Sequence, residues 1–72
     1  MATLEQQSVI LTIVWQESGR LNLHADSVLV DLGVTSLGIY MIFEHMEGKL
    51  DIKIDAPANN ITTINDLFAL VP

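Results

Sequence analysis

The chain of 72 residues contains no cysteine. No disulfide and no thiolate zinc site can staple it. Domains of this size bury only about 60% of the surface their unfolded chains expose, and often need such a staple. Two histidines, His24 and His45, are too few for a structural metal cage. Bases are almost as scarce: Arg20, Lys49 and Lys53 stand against nine acids, for a net charge of −6. That balance lacks the electrostatic footprint of a nucleic-acid binder and disfavours an anionic membrane surface. It leaves room for a protein partner with a basic patch. Long apolar runs are missing as well. The longest block, Val9 to Trp15, is interrupted by Thr12, whereas a membrane span needs roughly 20 apolar residues. No basic residue precedes that block, as a signal peptide would require. The default expectation is a cytoplasmic protein. What is present is apolar material: half the residues are hydrophobic and only 17% are charged. The chain therefore reads as one domain over residues 1–72 standing on its core, and not as a disordered acidic tail.

Local signals divide the chain into three helical stretches. Thr3-Leu4-Glu5-Gln6 is a capping-box pattern, which opens a helix of about 15 residues ending at Gly19. Leu4, Leu11, Val14 and Trp15 recur on it at helical spacing, and Val9, Ile10 and Ile13 broaden the stripe. Residues 20–35 form a long connection. Its five apolar residues, Leu21, Leu23, Val28, Leu29 and Leu32, predict a structured loop that packs back on the core, with one short turn near Asp26 to Val30 and an end at Gly33. A second helix starts at Thr35 or Ser36 and is expected to stop at Gly48. Leu50 to Ile54 alternates like a strand but has nothing to pair with, so it is read as extended loop. Pro57 to Asn60 has room for a single turn. Thr63-Ile64-Asn65-Asp66 repeats the capping pattern and opens a last helix whose apolar face is Leu67, Phe68, Leu70 and Val71. The fold class is all-α: three main helices plus one short one. The expected core takes Leu4, Leu11 and Trp15 from the first helix, and Leu29 and Leu32 from the connection. Ile39, Ile42, Phe43 and Met46 follow from the second helix, then Ile54, and Ile64, Leu67 and Phe68 from the end.

The second helix carries two apolar faces. Ile39, Ile42, Phe43 and Met46 form an i, i+3, i+4, i+7 stripe. Leu37, Tyr40 and Met41 lie on the far side, with Glu44 and Glu47 as an acidic rim. Either the helix is buried on most sides, or the second face is a surface for a partner. Ser36 stands where the helix begins. It is an N-cap serine on one reading and a modification site on the other, because a phosphate there meets free N–H groups and the positive end of the helix dipole. Gly38 in the first turn costs roughly 1 kcal/mol against alanine, a cost consistent with close approach by another chain or with chance.

Enzyme constellations are thin. No serine sits in G-x-S-x-G and there is no glycine-rich phosphate loop. His45 is nine positions from Ser36, about 13 Å along a helix axis, and a general base needs about 3 Å. His24 is not excluded by spacing, but no third residue stands out to orient it. Asp51 and Asp55 read as a solvated loop, and Glu44 with Glu47 as a wet helix face rather than a hard-cation site. No catalytic residue and no metal ligand is assigned.

Asp26-Ser27-Val28-Leu29-Val30-Asp31-Leu32-Gly33-Val34-Thr35-Ser36-Leu37 resembles the attachment motif of acyl and peptidyl carrier proteins, which typically reads D-S/T-x-L-x-D-L-G-x-D-S-L. Ile61-Thr62-Thr63-Ile64-Asn65-Asp66-Leu67 resembles the I-T-T-V-x-D-L opening of that family's last helix, and the two motifs are separated as in the family. The resemblance implies a small right-handed bundle of three long helices, with a short one near residues 56–60. It implies that Ser36 receives 4′-phosphopantetheine from coenzyme A, added by a separate magnesium-using phosphopantetheinyl transferase. The arm's thiol then carries an acyl or aminoacyl group as a thioester. The protein itself is no enzyme. It is a monomer that presents cargo to a loading enzyme and to a downstream synthase or transferase, docking through Leu37, Tyr40, Met41, Glu44 and Glu47. Attachment site and N-cap would then be the same residue.

The sequence departs from the family at three places. Thr35 stands where an Asp usually engages the transferase, and Gly38 and Met41 stand where fatty-acid carriers have acids. These departures imply a specialised carrier, for polyketide, non-ribosomal peptide or modified-lipid biosynthesis, rather than the housekeeping fatty-acid role. Met1 and the end just past the last helix imply a free-standing chain. The rival expectation is an unmodified helical adaptor that binds a protein through Leu37, Tyr40 and Met41.

Overall fold

A computed structural model describes all 72 residues. The first helix, α1 (Leu4–Ser18), begins and ends where its local chemistry dictates. Thr3 Oγ1 accepts the Gln6 N–H at 3.1 Å, and Gln6 Oε1 accepts the Thr3 N–H at 2.9 Å. Two of the helix's orphan donors are thereby satisfied reciprocally. At the other end Gly19 adopts the left-handed conformation (φ 71°) and donates to the Trp15 carbonyl, which a β-carbon would penalise.

The buried face of α1 differs from the expected one. Ile10, Ile13 and Val14 are buried, Leu11 is half-buried, and Leu4 and Trp15 are 83% and 44% exposed. Residues 9–15 are apolar almost without interruption, so spacing alone does not choose a face. The choice falls to the i, i+3, i+4 set that meets α2 (Ser36–Leu50) and α3 (Ile64–Phe68), against both of which α1 packs.

In α2 the expected inner stripe is the observed one: Ile39, Ile42, Phe43 and Met46 are all buried. Leu37, Tyr40 and Met41 face outward, 72%, 51% and 41% exposed, so the helix is not buried on most sides. The helix starts where expected, but its cap and its end are corrected. The N-cap is Thr35, whose Oγ1 accepts the Gly38 N–H at 3.2 Å, and Ser36 is the first helical residue. Nor does Gly48 end the helix; it runs to Leu50 and closes at Asp51, which takes the left-handed conformation (φ 53°) itself. Aspartate tolerates that region better than most residues. Gly38 is explained within the chain. A β-carbon there would lie 3.0 Å from Val34 Cγ1 and 3.4 Å from Glu17 Oε2, so the glycine lets the end of α1 and the preceding loop close on α2.

The connection packs back on the core as expected. Leu29 is buried and Leu32 half-buried, within a 3-10 turn, Leu29–Leu32, that Gly33 terminates at φ 83°. The turn lies slightly later than the Asp26–Val30 expected. Residues 52–57 form no strand, and Ile54 is half-buried rather than fully buried. The short fourth helix is a 3-10 turn, Ala58–Asn60. The last helix, α3, is only five residues long. Leu70 lies beyond it in a turn, and Val71, just after that turn, is buried. So short a helix cannot sustain itself. Ile64, Leu67 and Phe68 pack into the core, and the connection grips its start. Leu29 N–H donates to Thr62 O (2.9 Å), Ile64 N–H to Ser27 O (3.1 Å) and Asn65 N–H to Ala25 O (2.7 Å), around an antiparallel bridge between Val28 and Thr63. Ala2, Val34, Ala58 and Ile61 complete the core, and no polar side chain is buried. No helix is long and apolar enough to cross a membrane.

Asp66 fixes the start of α3 as its capping box. Its Oδ2 accepts the N–H groups of Thr63 (3.0 Å) and Thr62 (2.8 Å). These bonds, the one from Thr63 foremost, hold its carboxyl below the usual aspartate range. A carboxylate with a depressed folded pKa contributes fully above its unfolded value of about 4 and loses that contribution as pH falls through the folded value. Melting temperatures of the native chain and Asp66→Asn should therefore differ near neutral pH, with the variant lower. The gap should narrow from about pH 5 downward. A gap that stays constant with pH would show that the charge of Asp66 contributes nothing to the cap.

Candidate functional site

Ser36 occupies the first turn of α2 with its side chain exposed. Since Thr35 is the cap, the Ser36 hydroxyl has no capping duty and is free for chemistry. Thr35 takes two first-turn donors: its Oγ1 accepts the Gly38 N–H and its carbonyl the Ile39 N–H. The N–H groups of Ser36 and Leu37 have no protein partner. An anionic group bound to Ser36 would thus meet two free donors at the positive end of a 15-residue helix. Glu17, from the last turn of α1, leans over Gly38 at the same helix end.

Beside Ser36 opens a cleft of about 430 Å³, within the range that holds small ligands. It is lined by Val28, Leu29 and Val30 on one side and by Ala58, Asn59, Ile61 and Thr62 on the other, with Val34 and Ile39 between them. The clasp between the connection and the start of α3 brings these distant segments together. Nothing in the local pattern of residues 58–62 marks them as cleft residues; only the fold does.

The five residues of the expected docking face do not behave alike. Leu37 and Met41 are exposed without further duty. Tyr40 is half-exposed: its hydroxyl accepts the Ala58 N–H at 3.4 Å, and its ring meets Phe43 edge-on at 5.8 Å between centroids. Glu44 is exposed. Glu47 is half-buried and its Oε2 accepts the Ile54 N–H at 2.9 Å. The acidic rim at that end is therefore chiefly Glu44, while Glu47 anchors the extended segment after α2. His24 is exposed and its backbone N–H donates to Ser27 Oγ; His45 is exposed on α2.

Fold and site together define a small all-α protein with an exposed serine at a helix start beside an apolar cleft. No family model, no curated protein and no solved structure matches this chain.

Proposed function

We propose that the protein is an acyl or aminoacyl carrier, modified on Ser36 with 4′-phosphopantetheine and working in the cytoplasm in a specialised biosynthetic pathway. The observation that carries this reading is the position of Ser36. It is exposed, relieved of capping by Thr35, flanked by free N–H groups and set at the mouth of the cleft. The Ser36 hydroxyl would form a phosphodiester with the arm, and the free N–H groups of Ser36 and Leu37 suit its negative charge. The residues present fit such a group. The thiol of the arm supplies the thioester chemistry; this chain's part is to hold the arm and to be recognised. Incubation with coenzyme A, magnesium and a broad-specificity phosphopantetheinyl transferase should add one phosphopantetheinyl mass to the intact chain. A chain that no transferase modifies would refute the reading.

A second reading, the unmodified adaptor, draws support from the exposure of Leu37, Tyr40 and Met41. Either reading places the partner on this face, and the apolar side chains there should outweigh the acid. Leu37, the most exposed of the three, has the most surface left to cover, worth about 1–2 kcal/mol. An exposed ion pair such as Glu44 could make contributes about 0–1 kcal/mol. Leu37→Ala should therefore weaken binding to the cognate enzyme about 5- to 30-fold, Met41→Ala less, and Glu44→Gln least. Affinity should survive moderate salt. A steep salt dependence with Glu44→Gln as the worst variant would mark a carrier steered by charge.

A further inference from the structure

The cleft beside Ser36 has a lining of definite chemical character. No charged side chain borders it, although the chain carries nine acids. Most of the lining is apolar, and one apolar residue in it is left largely open: Val30 is 71% exposed. The opposite wall adds two neutral polar residues, Asn59 and Thr62, both exposed. Neither the Asn59 amide nor the Thr62 hydroxyl has a hydrogen-bond partner in the chain. Their backbones are nonetheless held. The Thr62 N–H donates to Asp66 Oδ2 at 2.8 Å, and its carbonyl accepts the Leu29 N–H at 2.9 Å. Asn59 sits in the middle of the Ala58–Asn60 turn, which the Ile61 N–H closes on the Ala58 carbonyl at 3.0 Å. Ser36 lines the same cleft, so a group joined to its hydroxyl starts there.

This lining discriminates between occupants. A plain hydrocarbon would cover Val30, but it would strip water from Asn59 and Thr62 and leave both unsatisfied. A charged group would find no counter-charge in the lining. An uncharged chain that alternates apolar groups with amides meets both demands. We propose, resting on the carrier reading, that the cleft holds the pantetheine part of the arm and not the cargo, with Asn59 and Thr62 as positioning residues. That part of the arm carries a gem-dimethyl group, a hydroxyl and two amides. Val30 and the apolar wall suit the gem-dimethyl group. Asn59 and Thr62 can each donate and accept, as pairing with amides requires. The negative phosphodiester is met elsewhere, by the free N–H groups of Ser36 and Leu37. The cleft thus sets the course of the arm, makes no selection among cargoes, and leaves the thioester end to the partner enzyme.

The full chain, isotope-labelled and loaded with an unlabelled arm by coenzyme A and a transferase, gives a direct test. Isotope-filtered NOE spectra should show contacts from the methyl groups of the arm to those of Val30 and Ile61. The side-chain amide signals of Asn59 should shift between the unloaded and the loaded chain. Loading should also raise the melting temperature. Asn59→Ala and Thr62→Val, at exposed positions, should melt with the native chain before loading and gain the same arm mass. After loading, each should melt about 2 °C or more below the loaded native chain. An arm with a free thiol, with an octanoyl thioester or with an alanyl thioester should give the same contacts to Val30. A loaded chain whose arm touches only Ser36 and Leu37 would overturn this inference and leave the carrier reading standing. So would Val30 contacts that come from the cargo and not from the arm. A chain that no transferase loads would overturn both.

Discussion

Ser36→Ala should abolish loading by coenzyme A and transferase completely while leaving the fold as stable as the native chain. Complete loss is expected because attachment needs the hydroxyl oxygen itself, and no neighbouring hydroxyl stands in the same place; Thr35 Oγ1 is engaged with the Gly38 N–H. Unchanged stability follows from the geometry of the helix start. An N-cap serine replaced by alanine would cost about 0.5–2 kcal/mol, but Ser36 is the first helical residue and exposed, where alanine is the better helix former. Its melting temperature should match the native one or lie slightly above it. Thr35→Ala, by contrast, should lose about 0.5–2 kcal/mol, because it removes the cap. Intact mass and thermal melting of the two variants separate attachment from capping. A Ser36→Ala chain that still gains the arm would end the carrier reading in favour of the adaptor.

Phe43→Ala should come close to unfolding the protein. Phe43 is 5% exposed, among the buried Ile39, Ile42 and Met46, with the Tyr40 ring against its edge. Truncating a core phenylalanine costs about 3–5 kcal/mol, partly as lost burial and partly as the cavity left behind. At roughly 0.05–0.15 kcal/mol per residue, a domain of this length has about 4–11 kcal/mol in all. No disulfide or metal site makes up the difference. Each kcal/mol lowers the melting temperature of so small a domain by about 4–8 °C, so the variant should melt more than about 12 °C below the parent, if it folds at all. Urea unfolding followed by circular dichroism gives the value. A Phe43→Ala chain that unfolds like the parent would mean that the inner and outer faces of α2 are exchanged.

Features fixed by residues three or four apart were legible in the sequence. Thr3 with Gln6 and Thr63 with Asp66 both form the capping boxes their spacing announces, because a cap is settled within one turn. The inner stripe of α2 was legible because polar residues bracket it. On α1 the same rule fails. Its apolar residues run nearly unbroken from Val9 to Trp15, and the choice of Ile10, Ile13 and Val14 over Leu4 and Trp15 is made by the elements they meet. Gly48 misleads for a different reason: the left-handed residue that ends α2 is Asp51, and glycine in a helix is tolerated at modest cost. For the candidate site, the place of Ser36 at the start of α2 was legible and the identity of the cap was not, since Thr35 and Ser36 are both good caps and only the backbone decides between them. The cleft was not legible at all. Its two walls are some thirty residues apart in sequence and share no pattern.

Those two walls are held together in two different ways. Along one edge of the cleft, backbone hydrogen bonds from Leu29 to Thr62 and from Ile64 to Ser27 rivet the walls together. At the opposite edge the Ala58–Asn60 turn is closed on itself by bonds from Asn60 to Pro57 and from Ile61 to Ala58. Its polar tie to α2 is the 3.4 Å bond to the Tyr40 hydroxyl. Ala58 and Ile61 are themselves buried in the core, so apolar packing fixes that edge as the backbone clasp fixes the other. The phenol that adds this polar tie belongs to the outward face of α2. A molecule seated on Tyr40 would therefore touch a side chain that is bonded to Ala58 of the cleft wall, so the outward face of α2 and the cleft beside Ser36 meet at one residue.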